Sequence, residues 1–204
     1  MSDIMPDALI VVDVQNDLCP GGTLAVPEGD AVVPVLNAYL ARAAAAGMPI
    51  FASRDWHPPR TAHFAAFGGP WPEHCVQGTP GAAFHPDLRL PTSAQIVTKG
   101  TSQDDTGYSA FDGLLPDGRD LATALRAAGV TRVLVGGLAT DYCVRATVLS
   151  AREAGFAAVW LRDASRPVEV QPGDGARAEA EMLAAGATAG SLDSFYPAEA
   201  RPAP

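Results

Sequence analysis

The 204-residue sequence contains a single lysine, Lys99, against thirteen arginines. Arginine and lysine both serve on surfaces, yet they differ in hydration and in how readily burial shifts their pKa. A chain that uses arginine everywhere else and keeps one lysine invites a chemical reason, and the position of Lys99 has to decide between that reason and a leftover surface residue. Cysteine is nearly as scarce. Cys19, Cys75 and Cys143 are too few and too scattered for a disulfide framework, which fits a reducing compartment. Positive charge is in deficit: 14 Lys+Arg face 23 Asp+Glu, for a formal charge of −9. That excludes nucleic acid and an anionic membrane surface as the main partner. Long apolar runs are missing as well. The run Ala8–Val12 stops at Asp13, and nothing approaches the about 20 residues of a spanning helix. The first residues carry Asp3 and Asp7 where a secretory leader needs basic ones, so a cytoplasmic location is expected.

What is present suits a packed core, because 48% of residues are hydrophobic and only 18% charged. The length favours one domain spanning residues 1–204, and no linker divides it. The stretch Ala8–Val14 is a continuous β-branched run, the pattern of a strand covered on both faces in the middle of a parallel sheet. Further strands are expected at 49–53, 95–98, 132–135 and 157–161, with a short sixth at 187–189. Helices fall between them at 31–46, 120–128, 141–154 and 174–185, the first capped by Asp30, and each ends at a glycine. The alternation implies a three-layer α/β/α fold with a mostly parallel six-stranded sheet and right-handed crossovers. One irregular stretch, at about 54–91, is rich in Pro, Gly, His and Trp, and a loop of that length inside a compact domain is usually functional.

Ligands of open parallel sheets bind beyond the carboxyl ends of the strands. There the first strand delivers Asp13, the second Asp55 and His57, the third Lys99, and the fourth the segment from Gly136 to Cys143. Cys143 falls in the expected first turn of a helix, where free N–H groups and a neighbouring lysine lower a thiol pKa. The competing reading of Cys143 is a small buried apolar residue. Asp13 can take the thiol proton and return it to a leaving amine. Gly136 and Gly137 let the backbone approach a ligand, so the N–H groups of Ala139 and Cys143 can form an oxyanion hole. Three of the four histidines, His57, His63 and His74, gather with Asp55 in the long loop. One carboxylate and three imidazoles suit one divalent transition metal ion, Zn²⁺ first, with Mn²⁺ or Fe²⁺ as alternatives. His85 lacks such companions and reads as structural.

Six ordered segments between about Leu9 and Ser191 carry a resemblance: Val12–Asp17, Gly21–Val26, Asp55–His57, Trp71–Cys75, Thr98–Gly100 and Gly137–Val144. Together they resemble the nicotinamidases, or pyrazinamidases, of the isochorismatase-like hydrolases, which have a Rossmann-like topology. The resemblance implies a Cys143–Asp13–Lys99 triad, a metal site of Asp55, His57, His63 and His74, and a cis peptide at Leu138–Ala139. It maps the substrate pocket onto Leu18, Leu24, Val26, Trp71, Tyr108, Leu138 and Tyr142. It also implies hydrolysis of an aromatic primary amide, nicotinamide and with it pyrazinamide, to the acid and ammonia through a cysteine thioester, in NAD salvage. The partner expected is that small molecule, with a homo-oligomer possible. An aromatic ring is usual where this chain has Leu18, and the ligand at His63 varies among relatives. The nearest alternative is an amidohydrolase of the same superfamily acting on an N-carbamoyl or ureido amide, against which the metal loop argues. A vinyl-ether hydrolase would leave Cys143 unexplained. A non-catalytic thiol-based binding or redox module would need neither the Asp13–Lys99 pair nor the histidine loop.

Overall fold

A computed structural model describes residues 7–105 and 107–195. Six strands form one parallel sheet: β1 (Asp7–Val12), β2 (Ile50–Asp55), β3 (Gln95–Lys99), β4 (Arg132–Leu138), β5 (Ala157–Arg166) and β6 (Thr188–Gly190), in the order β3-β2-β1-β4-β5-β6. β1 is therefore interior, paired with both β2 and β4. Its continuous apolar run follows from that position. Leu9 and Val11 pack toward α1 (Val32–Ala45) with Leu36, Tyr39 and Leu40. Ala8, Ile10 and Val12 pack toward α2 (Leu121–Ala127), α3 (Arg145–Glu153) and α4 (Asp174–Ala184) with Leu125, Val148 and Met182. Both faces are dry, and each such Val, Leu or Ile contributes about 1.5–3 kcal/mol by leaving water. The three-layer α/β/α architecture expected from the alternation is the one found. Among the described residues no helix is long and apolar enough to cross a membrane.

The closing glycines Gly47, Gly129, Gly155 and Gly186 all adopt positive φ, as expected of helix stops. Asp120 caps α2 by accepting from the Thr123 N–H at 2.6 Å. Asp30 does not cap α1. Glu28 is left-handed and leads into a 3₁₀ turn over Gly29–Ala31, so Asp30 lies inside that turn and Ala31 takes the cap position without a side-chain bond. Two strands outrun their apolar runs. β4 continues through Gly136 and Gly137 to Leu138. β5 bulges after Trp160 and rejoins β4 at Ser165 and Arg166, because Gly136 carries no side chain to oppose Ala164 and the Ser165 hydroxyl donates back to the Leu161 carbonyl. The helix expected over 141–154 is two pieces. A π-helical turn, Thr140–Val144, in which the Val144 N–H reaches back five residues to the Ala139 carbonyl, precedes α3.

Candidate active site

β1, β2 and β3 run outward in one direction from the centre of the sheet and β4, β5 and β6 in the other, so the topology reverses between β1 and β4. A crevice opens beyond the strand ends at such a reversal. Asp13 follows β1, Asp55 and Lys99 close the adjacent strands β2 and β3, and Cys143 follows β4. Close approach here depends on Gly137: at φ 130°, any Cβ would run into the Val12 carbonyl on β1. The Leu138–Ala139 peptide is cis, as the resemblance implied.

Lys99 is 1% exposed, which excludes the leftover surface residue. Its Nζ lies 2.7 Å from Asp13 Oδ2, 2.5 Å from Asp55 Oδ1, 2.6 Å from the Gly107 carbonyl and 3.6 Å from Cys143 Sγ. The Ser53 hydroxyl donates to Asp13 Oδ1 at 2.7 Å. Burial pushes Asp13 up to about 6, against the pull of Lys99. Burial alone would lower Lys99, but Asp13 and Asp55 hold it well above its ordinary value, so it stays a cation. Cys143 departs from the sequence expectation. Burial drives its thiol well above the usual range, and Asp13 and Asp55 add to that against Lys99. Burial outweighs the pull of the ammonium, so the resting sulfur is a thiol with a raised carboxylate as its hydrogen-bond partner.

His57, His63 and His74 come together in the long loop, with ligand nitrogens within 4.8 Å of one another and ring centroids 4.7–5.4 Å apart. Two rings are oriented from behind. His57 Nδ1 donates to the Gly100 carbonyl at 3.1 Å and His74 Nδ1 to the Pro72 carbonyl at 2.7 Å, which turns each Nε2 toward the cluster. His57 Nε2 is buried with no hydrogen-bond partner and lies 3.8 Å from Asp55 Oδ2. Burial lowers His57, and it lowers His63 to about 4, with His57 and His74 adding to it. Burial would raise Asp55, but Lys99 and His57 hold it below the ordinary carboxylate range. Three imidazoles facing one point, an orphaned buried nitrogen and an ionised carboxylate are the donor set of a divalent metal ion, and these residues fit one. The other acidic group, Asp13 with Asp55 and Cys143, already encloses the Lys99 ammonium.

A partly enclosed cleft opens above these residues. Leu18, Leu24, Trp71, Tyr108 and Tyr142 line it, as the resemblance implied, with Ala139, Cys143, Asp55, His63 and His74. The Trp71 indole N–H donates to the Tyr108 hydroxyl at 2.8 Å, and its ring meets Tyr142 edge-on at 4.8 Å. Val26 and Leu138 do not line the cleft. Both lie in the core, 1% and 0% exposed, packed around the position of Gly29, because Leu138 still follows the alternation of β4 and turns away from the mouth. Val168, on the connection after β5, lines the cleft and had no sequence signal. Gln15 carries no sequence signal beyond its place in the Val12–Asp17 segment. Its buried amide donates to the Asp55 and Ala82 carbonyls and accepts from the Asp55 N–H, each at 2.8–2.9 Å, tying the long loop to β1.

A six-stranded parallel sheet with a carboxylate, an ammonium and a thiol gathered at its switch point places the chain in the class of three-layer α/β proteins. It matches the isochorismatase domain over residues 7–193, and it belongs to the isochorismatase family. It is 41% identical to the nicotinamidase of Escherichia coli over 202 residues, covering 90% of this chain and 93% of that one. Its structure is similar to the pyrazinamidase of Pyrococcus horikoshii in complex with zinc, with a TM-score of 0.85 and 46% identity, covering 92% of this chain and 99% of the other. It is also similar to PnC1 from L. infantum in complex with nicotinate, with a TM-score of 0.80 and 35% identity over 93% and 94% of the two chains.

Proposed function

We propose that this chain is a metal-dependent nicotinamidase that hydrolyses nicotinamide, and pyrazinamide with it, to the free acid and ammonia, in NAD salvage in the cytoplasm. The observation that carries the reading is the meeting of the Cys143 thiol, the Asp13 carboxylate and the Lys99 ammonium at the floor of an aromatic-walled cleft beside three histidines. The name and ligand of the relatives above support the substrate class. The continuous sheet supports reading residues 1–204 as one catalytic domain.

In this reading Asp13 removes the proton from Cys143, and the sulfur attacks the amide carbonyl carbon. The N–H groups of Ala139 and Cys143 hold the oxygen on which charge develops. Asp13 then gives its proton to the nitrogen, the C–N bond breaks, and ammonia departs from a thioester on Cys143. A water molecule deprotonated by Asp13 attacks that thioester, releasing the acid and restoring the thiol. Lys99 keeps the site electrically balanced as Asp13 alternates between its two forms. Asp55, His57, His63 and His74 would hold one divalent ion, zinc before manganese or iron, whose Lewis acidity would anchor the pyridine nitrogen. Trp71 packs beside the ring.

Ammonia release from nicotinamide tests the reading, with Cys143→Ala and a chelated sample as controls. Both controls should lose at least about a thousandfold in turnover. Wild-type turnover by Cys143→Ala defeats the mechanism, and an inert nicotinamide beside a reactive N-carbamoyl amide defeats the substrate.

A further inference from the structure

Most of the hydrophobic lining of the cleft is braced by its own contacts, and one residue of it is placed by another segment of the chain. Trp71, Tyr108 and Tyr142 are locked to one another by a hydrogen bond and ring contacts. The lining also includes three larger aliphatic side chains, Leu18, Leu24 and Val168. Leu18 and Leu24 belong to a loop closed by its own backbone bonds, Leu24 N–H to the Asp17 carbonyl and Val26 N–H to the Leu18 carbonyl. Val168, half-buried against the core, is held differently. It lies on the short connection between β5 and α4, outside every strand and helix.

What holds that connection is Asp141, which is 4% exposed and stands two residues before Cys143 in the π-helical turn. Its Oδ1 accepts the Val168 N–H and its Oδ2 the Glu169 N–H, each at 2.9 Å. A carboxylate sharing two adjacent N–H groups through two oxygens fixes both the distance and the orientation of the segment it grips. Glu169, at φ 54°, then turns the chain, and its own carboxylate accepts from the N–H groups of Gly173 and Gly175 at the start of α4. The turn that carries Cys143 therefore also places Val168, one of the residues lining the cleft.

We infer that Val168 determines which ring substituents the cleft admits, and that Asp141 is the positioning residue that sets where Val168 stands. The inference rests on the amidase reading above and deepens it: the substrates are six-membered aromatic primary amides, and Val168 limits their size at one edge of the ring. Asn at position 141 keeps one acceptor oxygen but turns an NH₂ toward a backbone N–H, so it releases half of the grip. Ala at position 168 removes the branched methyls and leaves the grip intact.

The experiment measures kcat/KM for nicotinamide and for nicotinamides methylated at each ring carbon in turn, with wild type, Val168→Ala and Asp141→Asn. Val168→Ala should raise the ratio of one methylated substrate to nicotinamide by about tenfold or more, the usual worth of room for one methyl group. Asp141→Asn should raise the ratio for the same ring position by less, with KM for nicotinamide rising more than kcat falls. A merely structural defect would lower turnover for every substrate in proportion and leave the ratios flat. Flat ratios in Val168→Ala overturn the specificity role, and flat ratios in Asp141→Asn beside a shifted Val168→Ala overturn the positioning role. A wild-type protein inert toward the whole series overturns the amidase reading itself.

Discussion

At Lys99 the sequence spoke through rarity. One lysine among thirteen arginines, placed at the end of a strand, proved to be a buried cation held by two carboxylates and a carbonyl. Gln15 was illegible because a glutamine in a loop is ordinary, and only the folded chain shows that its amide serves the backbone of Asp55 and Ala82. Gln15→Leu keeps the volume and leaves those buried backbone groups unsatisfied, at about 1–3 kcal/mol each. We expect about 3 kcal/mol or more of lost stability in urea unfolding and a weaker metal site, since Asp55 loses both of its main-chain anchors. A loss under 0.5 kcal/mol would mean that water takes over these bonds. Gly100 is the second residue-scale case. At φ 66°, a Cβ there would sit 2.5 Å from Cε1 and 2.7 Å from Nδ1 of His57. Gly100→Ala must displace the ring whose Nδ1 the same residue's carbonyl orients, and disturbing such an outer partner typically costs 10- to 100-fold in metal affinity. Competition with a chromogenic chelator measures it, and unchanged affinity would remove His57 from the ligand set.

The elements were legible wherever packing and periodicity agree. β1 could be placed inside the sheet because a β-branched run without alternation is stable only between two covering layers. The helix stops were legible because glycine reaches positive φ without cost. The departures fall where tertiary contacts override local preference. The helix expected from 141 starts as a π-helical turn because the Val144 N–H bonds Ala139, and the alternation that keeps Leu138 in the core also removed it from the pocket the resemblance assigned it to. The strand extension through Gly136 and Gly137 has the same origin, since apolar periodicity does not register two glycines that bring backbones together. Gly137→Ala therefore tests the element and not only the residue. Its methyl would collide with the Val12 carbonyl across the β1–β4 ladder, so the central pairing cannot form in its present register. We expect little soluble protein or a lowering of the unfolding midpoint by more than about 10 °C, in line with a severe core defect. Gly47→Ala, at a helix stop with open space around it, should cost far less.

For the molecule as a whole, the sheet and the long loop draw their stability from different sources. The sheet is held by two apolar layers. The loop between β2 and β3 has only two short 3₁₀ turns of its own; backbone bridges such as His57–Val76 and Phe64–Trp71 tie it together, along with Gln15, Asp17 accepting the Cys75 N–H, and three histidines brought to one point. A metal ion that binds these histidines in the folded chain and not in the unfolded one adds about 2.7 kcal/mol at a free concentration of 100 Kd. At about 2–4 °C per kcal/mol for a chain of this size, chelation should lower the midpoint by roughly 5–10 °C. The loss should also be local. Without the ion the sheet keeps both of its apolar layers and has no reason to open, while the loop loses the bond that ties its histidines together. Hydrogen exchange on chelated protein should therefore speed up between residues 56 and 94 and leave the amides of β1 and β4 as slow as before. Uniform acceleration would mean that the ion supports the whole fold, and no acceleration would mean that the histidine cluster is held by packing alone.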